Sequence, residues 1–148
     1  AKKFKKKIII DAKRNHSKIE EDLYNQIFSG SLFEINWRTN RFKSYEAIKN
    51  SEVTIGLSST ILREAFLYKT KIICCEYRKR ENYWDPFSDL SHLTNVSYNN
   101  LEKRLNLLFN LDFDEYYNQL DKKRDYYMAN INTINFLKDL LNNKELLI

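Results

Sequence analysis

Ser58, Ser59 and Thr60 stand where an apolar run, residues 52–57, gives way to a stretch with helical spacing, residues 61–68. Three hydroxyls at a strand-to-helix junction meet unpaired backbone N–H groups and the positive end of the helix dipole. That setting favours an anion and can hold a phosphate without glycines. The same junction also suits plain capping by Ser59 or Thr60. A capping box needs Glu or Gln three residues after the cap, but Leu62 and Arg63 occupy those places, and Glu64 lies four past Thr60. At 100° per residue, Ile61, Leu62, Ala65 and Phe66 share one side of the helix, and Thr60, Arg63 and Glu64 share the other. A hydroxyl, a guanidinium and a carboxylate thus line one face, either as a binding site or as a solvated surface.

Other chemistries are excluded by composition. Gly30 and Gly56 are the only glycines in 148 residues, so neither a G-x-G-x-x-G run nor a Walker-type loop can be written. Cys74 and Cys75 are adjacent in a strand-like stretch, where they point to opposite faces beside Ile72 and Ile73 and are expected to be buried and inert. They form neither a zinc site nor a disulfide framework, which fits a reducing cytoplasm. His16 and His92 are the only histidines, so a multi-histidine metal centre is excluded. The net charge of +5 is local: Lys2, Lys3, Lys5, Lys6 and Lys7 account for it, and the other 20 basic residues match 20 acidic ones. A nucleic-acid surface would spread cations along a groove, whereas this cluster reads as a solvated tail.

The elements that must position the junction follow from periodicity. Residues 7–12 form a short apolar run of the kind seen in strands buried on both faces. Ser17 caps a helix to about residue 28, with Glu20 completing a capping box and Ile19, Leu23 and Ile27 on one face. Strands follow at residues 32–37, 52–57 and 71–77, with a short fifth at 95–98, and helices at 45–50 and 61–68. Strands alternating with helices at this rhythm imply parallel βαβ units. From residue 99 the pattern is helical only, over 101–109, 113–129 and 133–147, with Phe113, Tyr116, Tyr117, Leu120, Tyr127 and Met128 at helical spacing as core contacts. Residues 78–93, with Pro86, Tyr83 and Trp84, leave the carboxyl end of a strand as either a functional lip or a packed loop. The expectation is one α/β domain over 1–148: a Rossmann-like parallel sheet of four or five strands with flanking helices, a basic tail (1–7) and a helical carboxyl-terminal extension (99–148). No stretch reaches the roughly 18 apolar residues a spanning helix needs, and no signal-peptide pattern follows the lysines, so a soluble, unprocessed segment is expected.

The run from Ser44 to Tyr77 resembles the carboxyl-terminal, nucleotide-sugar-binding half of GT-B glycosyltransferases of bacterial surface and capsular polysaccharide synthesis. Those proteins carry an apolar strand, then G-x-x-S-T-x-x-x-E-A, then a further strand; here Gly56, Ser59, Thr60, Glu64, Ala65 and Lys71-Ile72-Ile73 occur in that order. By that resemblance Ser58, Ser59 and Thr60 hold the diphosphate, with Arg63 on the same helix face, and Glu64 accepts from the ribose hydroxyls. Asn36, Trp37 and Arg38 stand where members contact the base, with Trp37 as a core residue the alternative. The chain departs from the pattern at Tyr68-Lys69-Thr70, where many members have Gly and Pro. It departs again after the first strand, where His-Pro is replaced by residues 11–16. Lys13 and Arg14 there are either cations for the diphosphate or solvated loop charges, and His16 is expected to cap or solvate.

The resemblance implies the donor-binding half of an enzyme that transfers a sugar from a nucleotide-activated donor to a surface-polysaccharide or glycolipid acceptor. Its partners would be the nucleotide-sugar and an amino-terminal acceptor half absent from this chain, with no nucleic acid. Transfer would need no metal or other cofactor, on the expectation that no Asp-x-Asp or His cluster offers a divalent-cation site. The expected place is the cytoplasm, with peripheral contact at the inner face of the membrane through the full-length protein. A flavodoxin-like binding or regulatory module without catalysis is the alternative.

Overall fold

The structure, a computed structural model, describes residues 2–13, 15–39, 42–57, 59–77, 90–94 and 96–120. Five strands lie among them: β1 (Ile8–Asp11), β2 (Phe33–Asn36), β3 (Val53–Gly56), β4 (Lys71–Cys75) and β5 (His92–Leu93). The helices are α1 (Lys18–Ile27), α2 (Lys43–Lys49), α3 (Thr60–Leu67), α4 (Tyr98–Phe109) and α5 (Phe113–Gln119). Every strand pair is parallel, so the fold is α/β and Rossmann-like as the strand–helix rhythm implies. The helix expected over 113–129 ends at Gln119, because Leu120 turns extended (φ −77°, ψ 157°); residues 121–129, the helix expected over 133–147 and residues 78–89 of the candidate lip lie outside the described residues.

The expected single sheet is two ladders, β2–β1 and β3–β4–β5. Ile8 pairs with Phe33 and Asp11 with Asn36; Val53 pairs with Lys71 and Gly56 with Cys74. β1 and β3 face a common cleft, and at their amino ends the Lys6–Glu52 ion pair spans from one ladder to the other through side chains. The fifth strand is also displaced from its expected place at 95–98. Cys74 N–H donates to Ser91 O at 2.7 Å and Glu76 N–H to Leu93 O at 2.9 Å, which draws residues 92–93 alongside β4. Ser97, extended, instead accepts from Asn100 N–H at 3.2 Å and starts α4 at Tyr98.

β4 is buried along its whole length, as a central parallel strand flanked on both edges should be. Ile72, Ile73, Cys74 and Cys75 pack with Leu62, Ala65 and Phe66 of α3, and with Leu108 and Tyr116 from the helical end. The rings of Phe113, Tyr116 and Tyr117 gather round Phe66 at 5.8–6.4 Å between centroids, so the aromatics of α5 are core contacts. Truncating Phe66 there would cost about 3–5 kcal/mol. β5 begins only opposite Cys74, which leaves Ile72 without a strand partner on that edge. The Tyr116 hydroxyl fills the gap, accepting from Ile72 N–H and donating to Ile72 O at 3.4 Å each.

Two local features add to what the pattern implies. Ser17 caps α1 through Glu20 N–H at 3.4 Å, but Ile19, Leu23 and Ile27 are 83%, 49% and 60% exposed. The helix packs through its aromatic stripe instead: Tyr24 against Trp37 and Phe28 against Phe33. The lysine tail is exposed but not loose. Lys2–Phe4 forms a 3-10 turn, the Phe4 ring lies 5.1 Å from that of Phe109, and Lys3 and Lys7 pair with Glu102 and Glu34. Among the described residues no helix is long and apolar enough to cross a membrane.

Candidate functional site

The order of the strands makes a switch point between β1 and β3: the chain runs outward to β2 on one side and to β4 and β5 on the other. Ligands of open parallel sheets bind at the carboxyl ends of the strands at such a point. A cleft of about 1550 Å³ runs the whole length of the facing edges of β1 and β3, from Lys6, Glu52 and the α4 residues Leu101 and Leu105 at one end to the carboxyl ends of the strands at the other. Its carboxyl end is lined by Lys13 after β1, Arg38 after β2, Ser59 and Thr60 after β3, and Glu64 on α3. Parallel strands end on one edge, so residues that follow different strands converge although they are far apart in sequence.

The α3 terminus leaves a side-chain hydroxyl beside its first turn. Ser59 is the N-cap residue in extended conformation (φ −123°, ψ 139°), yet its side chain makes no capping hydrogen bond. Leu62 N–H is taken by the Ser59 carbonyl at 3.1 Å, which closes the first turn through backbone. Capping thus does not occupy the Ser59 hydroxyl. α1, α4 and α5, by contrast, are capped by the side chains of Ser17, Ser97 and Asp112. Lys13 and Arg38 are exposed cations on the same rim, and Asp11 and Glu64 are the carboxylates beside them.

Glu64 is half-buried and held from α2, where the Tyr45 hydroxyl donates to its carboxylate. That hydrogen bond, with the carboxylate's charge behind it, keeps the Tyr45 phenol above its ordinary pKa. Asp11 is fixed similarly: Asn36 Nδ2 donates to its Oδ1 at 2.8 Å and to Lys43 O at 3.1 Å, tying β1, β2 and the start of α2 together. The Thr54 side chain of β3 lines the cleft wall, and its Oγ1 is buried without a hydrogen-bond partner.

Five of the nine residues singled out from sequence line the cleft: Lys13, Arg38, Ser59, Thr60 and Glu64. Ser58 and Arg14 lie outside the described residues. Arg63 is exposed and does not line the cleft, because on a helix it sits about 60° to one side of Thr60 while Glu64 sits about 40° to the other, and the cleft lies on the Glu64 side. Trp37 does not line it either. Its ring is packed edge-on against His16 at 5.1 Å and near Tyr24 at 6.5 Å, so it joins α1 to β2 as a packing residue. His16 bonds Glu21 at 3.1 Å, and that hydrogen bond with Lys18 nearby lowers the Glu21 pKa. Asn36, expected near a base, spends its amide on Asp11 and Lys43.

Sequence reasoning missed Tyr45 and Asp11 as site residues. A tyrosine early in a short helix carries no signal by spacing; the packing of α2 against α3 brings it to Glu64. The Asp-x-Asp run outside the matched stretch, Asp112-Phe113-Asp114, is structural. Asp112 accepts from Glu115 N–H at 2.8 Å, and Glu115 Oε2 accepts from Asp112 N–H at 2.9 Å, a reciprocal capping box for α5. Among the described residues no three His, Cys, Asp or Glu side chains gather to hold a metal. No protein-family model, curated protein or solved structure matches this chain.

Proposed function

We propose that this chain is the donor-binding half of a glycosyltransferase and that the cleft at the carboxyl ends of β1 and β3 takes the nucleoside diphosphate of an activated sugar. The observation that carries the reading is the convergence of Ser59, Thr60, Glu64, Lys13 and Arg38, from three strand ends and one helix, on that cleft. The diphosphate lies against the α3 N-terminus, with the Ser59 and Thr60 hydroxyls as further donors and Lys13 and Arg38 offsetting its charge. Glu64 accepts from the ribose hydroxyls, and Tyr45 sets the orientation of its carboxylate.

Charge builds on the leaving diphosphate as the bond to the sugar breaks, and donors already in place there stabilise it without reorganising. A second half presents the acceptor hydroxyl, a surface-polysaccharide or glycolipid end, across the cleft. The reading places the protein in the cytoplasm, meeting a lipid-linked acceptor at the inner face of the membrane.

The test is a thermal-shift screen of UDP, CDP, GDP, CMP and their sugars, followed by calorimetric titration of the best ligand. Glu64→Gln is expected to weaken binding by about 1.5–3 kcal/mol while leaving the unfolding midpoint nearly unchanged. Absence of millimolar binding to every nucleotide would remove the reading's support. Unchanged affinity in Glu64→Gln would remove Glu64 from the site.

A further inference from the structure

Among the described residues β1 pairs with β2 and β3 with β4, and no ladder joins β1 to β3. Yet both strands line the cleft along its length, with Lys6 and Glu52 paired at their amino ends, so they run side by side in one direction. The bonds already made fix which backbone groups face the gap. Ile8 N–H donates to Leu32 O at 2.9 Å and Ala12 N–H to Asn36 O at 3.1 Å, so alternation turns the N–H and C=O of Ile9 and Asp11 away from β2 and into the cleft. On β4, Ile72 bonds the Tyr116 hydroxyl and Cys74 N–H bonds Ser91 O, both on the β5 side, so Ile73 is turned to β3. Ile55 stands opposite Ile73, and in a parallel ladder the residue opposite a bonding one turns outward, so Ile55 and Val53 also face the cleft. The two rows are complementary. With Ile9 opposite Thr54 and Asp11 opposite Gly56, Ile9 N–H meets Val53 O, Ile55 N–H meets Ile9 O and Asp11 N–H meets Ile55 O. The same register sets Ile10 beside Ile55 and completes an apolar row of Ile35, Ile10, Ile55 and Ile73, of which Ile55 is still 46% exposed.

We propose that a bound diphosphate closes this seam and converts the two ladders into one sheet of order β2-β1-β3-β4-β5. The closure rests on the reading of the rim as a diphosphate site. Lys13 and Arg38 follow strands of one ladder, and Ser59, Thr60 and Glu64 follow a strand of the other. A ligand held by both sets binds the closed form more tightly than the open one, and only such a difference shifts a population. The amino ends are already tied: the Phe4 ring lies 5.1 Å from that of Phe109 on α4, and the Lys6 ammonium lies 5.0 Å over the same ring. The seam therefore hinges at that end and moves most at the rim, where the ligand sits. Closing it pairs backbone groups that edge strands otherwise leave to water, and covers Ile55.

Residue-resolved amide exchange by NMR on the whole chain tests it, without ligand and with millimolar UDP or inorganic pyrophosphate. Binding is followed in the same samples by the chemical shifts of Ser59 and Thr60. With ligand bound, the amides of Ile9, Asp11 and Ile55 are expected to slow about tenfold more than those of Ile8 and Ile10, which are turned to β2 and serve as internal controls. Binding without that alternating pattern, whether no amide slows or all of β1 slows alike, overturns the closure and leaves the diphosphate site standing. Absence of binding by both probes removes the rim reading and the closure with it. Slowing that grows with protein concentration would assign the pairing to a second copy and also overturn the closure.

Discussion

Removing the Tyr116 hydroxyl is expected to lower stability at neutral pH by an amount that shrinks to nothing near pH 11. At neutral pH the hydroxyl serves both backbone groups of Ile72 that no strand reaches, and Tyr116→Phe leaves a buried N–H and C=O unpaired. The two bonds are long, at 3.4 Å, so the loss should be about 1–2 kcal/mol. The same burial opposes ionisation and pushes the phenol up to about 12, despite hydrogen bonds from Ile72 and Ser91 that pull it down. In the unfolded chain it ionises near 10, so from there upward the unfolded state binds fewer protons and stability falls as pH rises. The loss should be about 1.4 kcal/mol by pH 11 and about 2.3 kcal/mol by pH 12. Tyr116→Phe is free of that slope, so the two stability curves should converge above pH 10 and meet near pH 11. Burial also lifts the Cys74 thiol to about 11, a loss that starts near pH 9 and is common to both proteins. Urea unfolding followed by far-ultraviolet circular dichroism at intervals from pH 8 to 11 measures both curves. A gap that stays constant across that range would refute the burial of a neutral hydroxyl at this position.

Lys69 holds φ +59° at the end of α3, with its N–H on Phe66 O and the next N–H on Ala65 O, a Schellman-type close that favours glycine. Lys69→Gly should therefore raise stability by about 1 kcal/mol, read as a higher urea midpoint at unchanged m-value; a lower midpoint would count against the left-handed close. Lys71 is buried with its ammonium on Leu108 O at 2.7 Å and Leu111 O at 2.6 Å, where it ends α4. Lys71→Met keeps the stem but strands both carbonyls, and should cost about 2–4 kcal/mol in chemical denaturation, with little dependence on salt. Cys74 and Cys75 are buried with pKa values raised by burial, so a thiol reagent at pH 7.5 should label the native chain far more slowly than the unfolded one. Equal rates would show an open β4.

The helix α1 shows where periodicity stops being informative. Its spacing marks Ile19, Leu23 and Ile27 as one stripe, but Tyr24 and Phe28 form a second apolar stripe, and a helix with two stripes can turn either towards the sheet. The choice falls to partners distant in sequence: Trp37 and Phe33 on β2 offer rings, and ring-on-ring contact buries more area than an aliphatic stripe would. The strand cores were legible for the opposite reason. In β4 every residue is buried, so no face has to be chosen and the run Ile72-Ile73-Cys74-Cys75 speaks for itself. β5 was misplaced because two residues are too few for any period, and its position is decided by hydrogen bonds from Cys74 and Glu76.

The site was legible to the extent that it depends on chain direction rather than on angle. In a parallel sheet all strands end on one edge, so Lys13, Arg38 and Ser59 arrive at the same rim once each is known to follow a strand. Within a helix, direction is not enough: Arg63 and Glu64 are neighbours in sequence, yet 100° of rotation puts only the second in the cleft. Tyr45 needs more still, since it reaches Glu64 only when α2 is packed against α3. A residue's chance of being found from sequence therefore falls as more packing steps separate its backbone from the site. The same logic explains why the aromatic corner beside α2 and α3 had no forerunner in the sequence. Tyr45 lies in α2, Phe42 caps its start and Tyr68 caps the end of α3, so they meet only after the two helices have packed.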